Sequence, residues 1–288
     1  MKILVTGGTG TVGSRVVSGL LARGASVRVL TRSPHKLARL DGLVEVAEGS
    51  LSDSGPLAGA MRGVDALFLL TPLAPDETAQ GLHAVAVARG AGVRRVVFQT
   101  VHRLEEAAHV PHFASKIPVK AAILESGLDF TFIEPNNFFQ NDLWLQDPIR
   151  FFGVYPQPLG ARGLHRVDAG DIAVAAVNAL LDEGHAGASY PLVGPEALTG
   201  EECAEIWSRR LGREVQYVGD DLDNWEKQAE LLMPPWLAHD LRIMYQHFHQ
   251  TGLIATAEEQ AACRRILGRP PRRFEDFVAD TVASWMAP

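Results

Sequence analysis

Cysteine is almost absent from this chain: Cys203 and Cys263 lie far apart, and neither stands in a CxxC pair. That excludes a disulfide framework and a cysteine metal site, and makes a reducing, cytoplasmic setting the expected one. No run of 18 apolar residues occurs, so no membrane-spanning helix and no membrane partner are expected. The first residues offer Lys2 and a brief apolar run before glycine, too short for the apolar core of a secretory signal. Positive charge is not in excess. Lys and Arg number 27 against 34 Asp and Glu, a net charge of −7, so no general nucleic-acid surface is expected. Internal repeats and low-complexity segments are missing too. What remains is 288 residues, 47% of them apolar, enough for one large domain or two small ones around a sizeable core.

The stretch that carries most information is the first. Ile3-Leu4-Val5 runs into Thr6-Gly7-Gly8-Thr9-Gly10-Thr11-Val12-Gly13, and apolar residues at 16, 17, 20 and 21 then follow helical spacing up to Gly24. The order is strand, glycine turn, helix. Gly7 suits a tight turn, Gly10 a close backbone approach to a pyrophosphate, and Gly13 a helix lying near the sheet. The helix N-terminus adds N–H donors and positive dipole, which places Thr9, Thr11 and Val12 among the expected nucleotide contacts. The spacing is G-x-x-G-x-x-G, and no Walker lysine follows, so a P-loop fits poorly.

Ala25–Thr31 is a second strand. No acid stands at its end to hold a ribose 2′-hydroxyl; Arg32, Ser33 and Lys36 collect there instead. Cations and a hydroxyl suit a 2′-phosphate, so NADP(H) is expected ahead of NAD(H). Leu43–Glu48 is a third strand, with Ser50 and Leu51 placed to flank an adenine and Asp53 to cap a helix over Pro56–Arg62. Val64–Leu70 is a continuous apolar strand, ending at Thr71 on the edge where open α/β sheets meet ligands. Helix Asp76–Arg89, strand Val93–Phe98, a helix from Pro111 to Ser126 and strand Asp129–Ile133 complete an alternation that predicts a doubly wound parallel sheet. Beyond Asn141 the rhythm changes and prolines and aromatics cluster. A helix over Ile172–Leu181 capped by Asp171, a strand at Ser189–Val193 and a capping box at Thr199 and Glu202 follow. The expected division is a nucleotide-binding domain over 1–150, with 168–194 packing back on it, and a smaller substrate-covering α/β domain over 151–167 and 195–288. His247 and His249 form an H-x-H pair that a helix would point to different faces, so no metal is expected.

Taken together, ILVTGGTGTVG, the HFASK stretch with LESGLDFTFIEPNNFFQN, VDAGDIAVAAVNALL and LGRPPRRFEDFVADTVASW resemble the NmrA-like group of atypical short-chain dehydrogenases/reductases. The resemblance spans nearly the whole chain. It implies a Rossmann-type NADP-binding domain, a small C-terminal domain and a substrate cleft between them. It also implies one of two occupations. Some members reduce quinones, aryl ethers, isoflavonoids or dyes with NADPH; others bind the dinucleotide without reducing anything and act as redox-sensing regulators.

Short-chain dehydrogenases use Tyr-x-x-x-Lys with a Ser or Thr after the fifth strand. Here the matching stretch is His112-x-x-x-Lys116, and Thr100 matches the hydroxyl position. The resemblance assigns Lys116 to the ribose hydroxyls or the nicotinamide region. The missing tyrosine leaves the proton donor open between His112 and His102, since histidine titrates near neutral pH. The backbone at Pro135 and Asn136 is expected to meet the carboxamide; Glu134 departs from the family's usual Arg. Phe138, Phe139, Trp144 and Phe151 could floor a pocket for a flat apolar substrate, or could equally be core. Two functions stay open: an NADPH-dependent reductase of a quinone, enone or imine, and a non-catalytic NADP(H) sensor that binds a partner protein. A homodimer is compatible with either.

Overall fold

A computed structural model describes residues 1–286, which divide into two compact units. The first comprises residues 1–108, 112–135 and 169–191; the second comprises 109–111, 136–168 and the residues from Leu192 on. The division falls after Pro135, so residues 136–150, expected with the first unit, lie in the second. In chain order the strands are β1 (Lys2–Thr6), β2 (Ser26–Thr31), β3 (Glu45–Glu48), β4 (Ala66–Leu69), β5 (Arg95–Gln99), β6 (Asp129–Pro135), β7 (Val154–Tyr155), β8 (Ala188–Leu192) and β9 (Gln216–Tyr217). The helices are α1 (Gly13–Ala22), α2 (Ser54–Met61), α3 (Glu77–Gly90), α4 (Pro111–Ala114), α5 (Ile117–Glu125), α6 (Ala169–Leu181), α7 (Gly200–Leu211), α8 (Leu222–Ala229), α9 (Pro235–Thr251), α10 (Ala257–Leu267) and α11 (Phe274–Met286).

In the first unit seven strands form one sheet in the order β3-β2-β1-β4-β5-β6-β8, and every neighbouring pair from β3 to β6 is parallel. This is the doubly wound Rossmann arrangement the alternation predicts. β4 is fully buried along its length because helices cover both faces, which is why its sequence is an unbroken apolar run. α1 buries Val16, Val17 and Leu20 against the sheet. It ends where Gly24, at φ +73°, takes the left-handed conformation that lets the Ala25 N–H return to the Leu20 carbonyl.

Three local expectations change. The helix foreseen from Pro111 to Ser126 splits into α4 and α5 around Ser115 and Lys116. Pro118 explains it: it has no N–H to donate, and its ring would collide with the Ala114 carbonyl four residues back. α6 begins at Ala169, so Asp171 lies inside the first turn instead of capping it. Asp53 does precede α2, but its carboxylate accepts from the Ser50 N–H and hydroxyl at 2.9 and 2.7 Å rather than from the helix.

The second unit pairs β7 with β9 in parallel and carries α7 to α11. α7 carries the expected capping box between Thr199 and Glu202 and stops at Gly212, φ +67°. α10 repeats the device with Thr256, Glu259 and Gly268. Trp207 stacks on Trp285 with centroids 5.0 Å apart, and Phe139, Phe274 and Phe277 pack beside them. Among the described residues, no helix is long and apolar enough to cross a membrane.

Candidate cofactor site and active-site residues

The strand order reverses at β1, whose neighbours β2 and β4 are reached by connections running in opposite directions. The connections leaving the carboxyl ends of β1 and β4 therefore part from each other, which is where open α/β sheets hold ligands. Thr6 ties the two ends together: its hydroxyl accepts from the Leu70 N–H at 2.7 Å and donates to the Leu70 carbonyl at 2.9 Å. The glycine turn leaves from this point. Gly7 has φ +65°, and the Gly10 N–H donates to the Gly7 carbonyl at 2.9 Å, closing the turn. A Cβ on Gly13 would lie 2.1 Å from the Gly7 oxygen, so Gly13 makes room for the turn itself rather than for the sheet. The close approach to the sheet falls instead to Gly8, whose Cβ would meet Val29 of β2 at 2.6 Å. Gly10 has only the Gly7 oxygen nearby, at 3.3 Å. Thr9, Gly10 and Thr11 are exposed, whereas Val12 is buried. The N-terminus of α1 has no side-chain cap and no acid in its first turn. Its donors and dipole are thus not already matched by an anion of the protein.

At the end of β2, Arg32 and Lys36 are exposed and Ser33 is half-buried. A short 3₁₀ turn over Pro34–Leu40 brings Lys36 back over Ser33, through the Lys36 N–H to Ser33 carbonyl bond. The Ser50 hydroxyl is committed to Asp53, which holds that carboxyl below its usual range. Leu51 is buried in the apolar core, so its side chain does not face an adenine.

The end of β4 leads to a buried carboxylate that motif reasoning passed over. Glu77, 1% exposed, accepts from Thr71 Oγ1 at 2.5 Å, Lys116 Nζ at 2.5 Å and Ser115 Oγ at 2.9 Å. Lys116 Nζ donates as well to the His112 carbonyl at 3.0 Å, and its side chain is 12% exposed. The lysine that the HFASK motif singles out is therefore one half of a buried ion pair. The His112 ring lies edge-on against Phe113, with centroids 4.6 Å apart. Thr100 is buried beside β6, its N–H donating to the Ile133 carbonyl at 2.8 Å. His102 is buried too, its N–H donating to the Pro135 carbonyl. Gln99, the last residue of β5, has a buried Oε1 with no hydrogen-bond partner among the described residues. The Glu134 departure has a partner in Lys120, 3.4 Å away.

Asn136, Phe138, Phe139, Trp144 and Phe151 belong to the second unit. Asn136 is pinned: its N–H donates to the Leu192 carbonyl and its Nδ2 to the Leu253 carbonyl, both at 2.9 Å. Phe139 is 1% exposed and wedged against Phe274 and Phe277, so it is core and not a pocket floor. Its neighbours differ: Trp144 is 82% and Phe151 61% exposed, and Phe138 is half-buried. Phe139→Ala is accordingly expected to lower the unfolding free energy by about 3–5 kcal/mol. Trp144→Ala should move it by less than about 0.5 kcal/mol. Urea titration of both variants checks the contrast. His247 packs on His109 and His249 reaches the Pro158 carbonyl, and no group of three potential metal ligands occurs among the described residues.

A parallel seven-stranded sheet with a glycine turn at its switch point defines a Rossmann-type nucleotide-binding protein. The chain belongs to the NmrA-like family, whose model matches residues 1–277. It is 34% identical to an NAD(P)H azoreductase of Xenophilus azovorans, over 99% of both chains. It is 36% identical to a (4-alkanoyl-5-oxo-2,5-dihydrofuran-3-yl)methyl phosphate reductase of Streptomyces griseus, over 96% of this chain and 97% of that one. The fold is also that of an NADPH-dependent quinone oxidoreductase from Escherichia coli, crystallised with NADPH. The two superpose with a TM-score of 0.87 over 97% of this chain and 99% of that one, at 21% identity.

Proposed function

We propose that this protein is an NADPH-dependent reductase that delivers hydride to a small conjugated or aromatic acceptor such as a quinone, enone or imine. The observation that carries this reading is the glycine turn at the β1/β4 switch point, running into an uncapped α1. The residues present fit a dinucleotide. The turn is held by the Gly7–Gly10 bond and offers exposed backbone at Thr9, Gly10 and Thr11, and the buried Gln99 Oε1, near the same edge of the sheet, lacks a partner among the described residues. Gly7 to Gly13 would hold the pyrophosphate, and Arg32, Ser33 and Lys36 a 2′-phosphate, favouring NADP(H) over NAD(H). Ser50, Leu51, Leu70 and Thr71 would line the adenosine side, with Leu51 contributing backbone. Thr100, Lys116, Pro135 and Asn136 would face the nicotinamide side.

The nicotinamide supplies the hydride, and the protein positions it and the acceptor. His112 and His102 are the two candidates to hand over the balancing proton, and Phe138, Trp144 and Phe151 to meet the acceptor. The first unit is thus read as the nucleotide-binding one and the second as the source of substrate contacts. The protein acts in the cytoplasm on a small molecule, alone or as a homodimer, and a net charge of −7 speaks against a nucleic-acid partner. The relatives that are reductases support this reading. The second reading, a non-catalytic NADP(H) sensor, is favoured by histidine at position 112 in place of tyrosine and by the pairing of Lys116.

The test titrates the protein with NADPH, NADP⁺ and NADH, then follows NADPH absorbance with menadione-type quinones and aryl enones. The reductase reading expects NADPH consumption that Lys116→Ala lowers by about 10²-fold and His112→Ala weakens, with NADPH bound more tightly than NADH. Tight NADPH binding without turnover across the panel would select the sensor.

A further inference from the structure

We propose that Glu77 is a positioning residue of this site. It holds Lys116 in a buried neutral ion pair, so that Lys116 meets a bound dinucleotide as an oriented hydrogen-bond donor rather than as a free positive charge. The inference rests on the dinucleotide-binding reading above.

Glu77 opens α3, where a helix N-terminus favours a carboxylate. Its two oxygens collect three side-chain donors from two separate segments: Thr71, just past β4, and Ser115 with Lys116, in the turn that Pro118 forces between α4 and α5. Thr78, the next residue, donates to the Ser115 carbonyl at 2.8 Å and ties the same turn a second time. The first turn of α3 thus clamps residues 115 and 116 to the end of β4. An ammonium has three N–H donors. Glu77 and the His112 carbonyl take two, both at 3.0 Å or less. The third is left with its direction set by the other two.

The pairing changes what this lysine can do. An unpaired lysine beside a proton donor pulls that donor's pKa down through its charge. A carboxylate 2.5 Å from Nζ cancels most of that field beyond the pair. The chain accordingly carries no tyrosine at position 112 for such a charge to activate. What survives is geometry: a rigid donor at a fixed place along the ligand edge of the sheet. Misplacing such a group by about 1 Å can cost about 10²-fold in rate.

The test is a double-mutant cycle of wild type, Glu77→Gln, Lys116→Met and the double variant, read in NADPH dissociation constant, in kcat and KM with menadione, and in Tm. The expected result is that Glu77→Gln and Lys116→Met each lower kcat/KM by about 10²-fold. The double variant should then be no worse than Lys116→Met alone, whatever the changes in Tm. Losses that multiply in the double variant, or a Glu77→Gln protein with wild-type affinity and turnover, would overturn the proposal. Should Glu77→Gln unfold, Glu77→Asp takes its place. It keeps the charge and shortens the reach, and should weaken NADPH binding as Lys116→Met does; unchanged binding would overturn the proposal. A wild type that binds NADPH but turns over no acceptor sinks the reductase reading alone, and the cycle in dissociation constants then still decides the role of Glu77. A wild type that binds no dinucleotide sinks both.

Discussion

Gly13→Ala should cost this protein its dinucleotide site. The added Cβ would lie 2.1 Å from the Gly7 oxygen, 2.6 Å from the Gly7 carbonyl carbon and 3.0 Å from the Gly8 Cα. All three are backbone atoms of the turn, with no side chain that can swing away. The turn must open, which breaks the Gly10 to Gly7 bond and moves the start of α1. Overpacking of this kind costs about 1–3 kcal/mol, and more where the neighbours cannot yield. Because the strained atoms are the ones proposed to meet the pyrophosphate, the same distortion should weaken NADPH affinity by about 10²-fold or more, equivalent to about 2.7 kcal/mol. Gly90→Ala is the control. It ends α3 with nothing within 4 Å of the added carbon, so alanine's better helix propensity should leave stability unchanged or raised by up to about 1 kcal/mol. NADPH fluorescence titration and thermal unfolding of the two variants make the comparison. Equal affinities would show that the turn is not where the nucleotide sits.

Asp142→Ala should strongly destabilise the second unit. Asp142 and Arg166 are both completely buried and pair at 2.6 Å. Around them Tyr155 and Trp207 donate to Asp142, while Arg166 reaches Asn137 Oδ1 and the Phe138 carbonyl and lies 4.9 Å over the Phe274 ring. Burial works against the Arg166 charge, but Asp142 beside it holds the guanidinium pKa well above its ordinary value. Removing the carboxylate strands a charged guanidinium in the core. The expected cost is about 3–5 kcal/mol, a large share of a total that is commonly about 5–15 kcal/mol. Asp142→Leu combined with Arg166→Met should recover much of it, because the buried charge is then gone altogether. Guanidinium unfolding followed by tryptophan fluorescence reads both variants, Trp207 being part of the network. A single variant as stable as wild type would mean that the pair does not hold the unit together.

The same two clusters mark where the sequence was legible and where it was not. The glycine turn, the apolar β4 and the capping box at Thr199 are local patterns, each complete within about ten residues, and they appear in the structure where the sequence places them. The capping box at Thr256 and Glu259 was equally legible, as S/T-x-x-E before an apolar run. The break at Pro118 could likewise be foreseen from proline chemistry, yet the reading of the alternation ran one helix from Pro111 to Ser126. Phe139 shows the limit of composition. Phe139 is the buried ring while Trp144, Phe151 and Phe152 are exposed, and nothing local separates that core ring from the exposed Trp144.

The sequence by itself determined the class of protein: a Rossmann-type sheet, a glycine turn between β1 and α1 with cations after β2, and membership of the NmrA-like family. Those features rest on short-range periodicity, on glycine's freedom at positive φ and on charge near one strand end, all of which act within a few residues. Only the tertiary structure decided what the charged side chains do. Glu77 and Lys116 meet because α3 and the α4–α5 turn start at the same edge of the sheet, and Asp142 and Arg166 because the second unit folds its entering and returning segments side by side. A carboxylate on a helix looks the same in sequence whether it is solvated or buried on a lysine; desolvation and partner choice come from the order of the strands, not from the residues next to it in the chain.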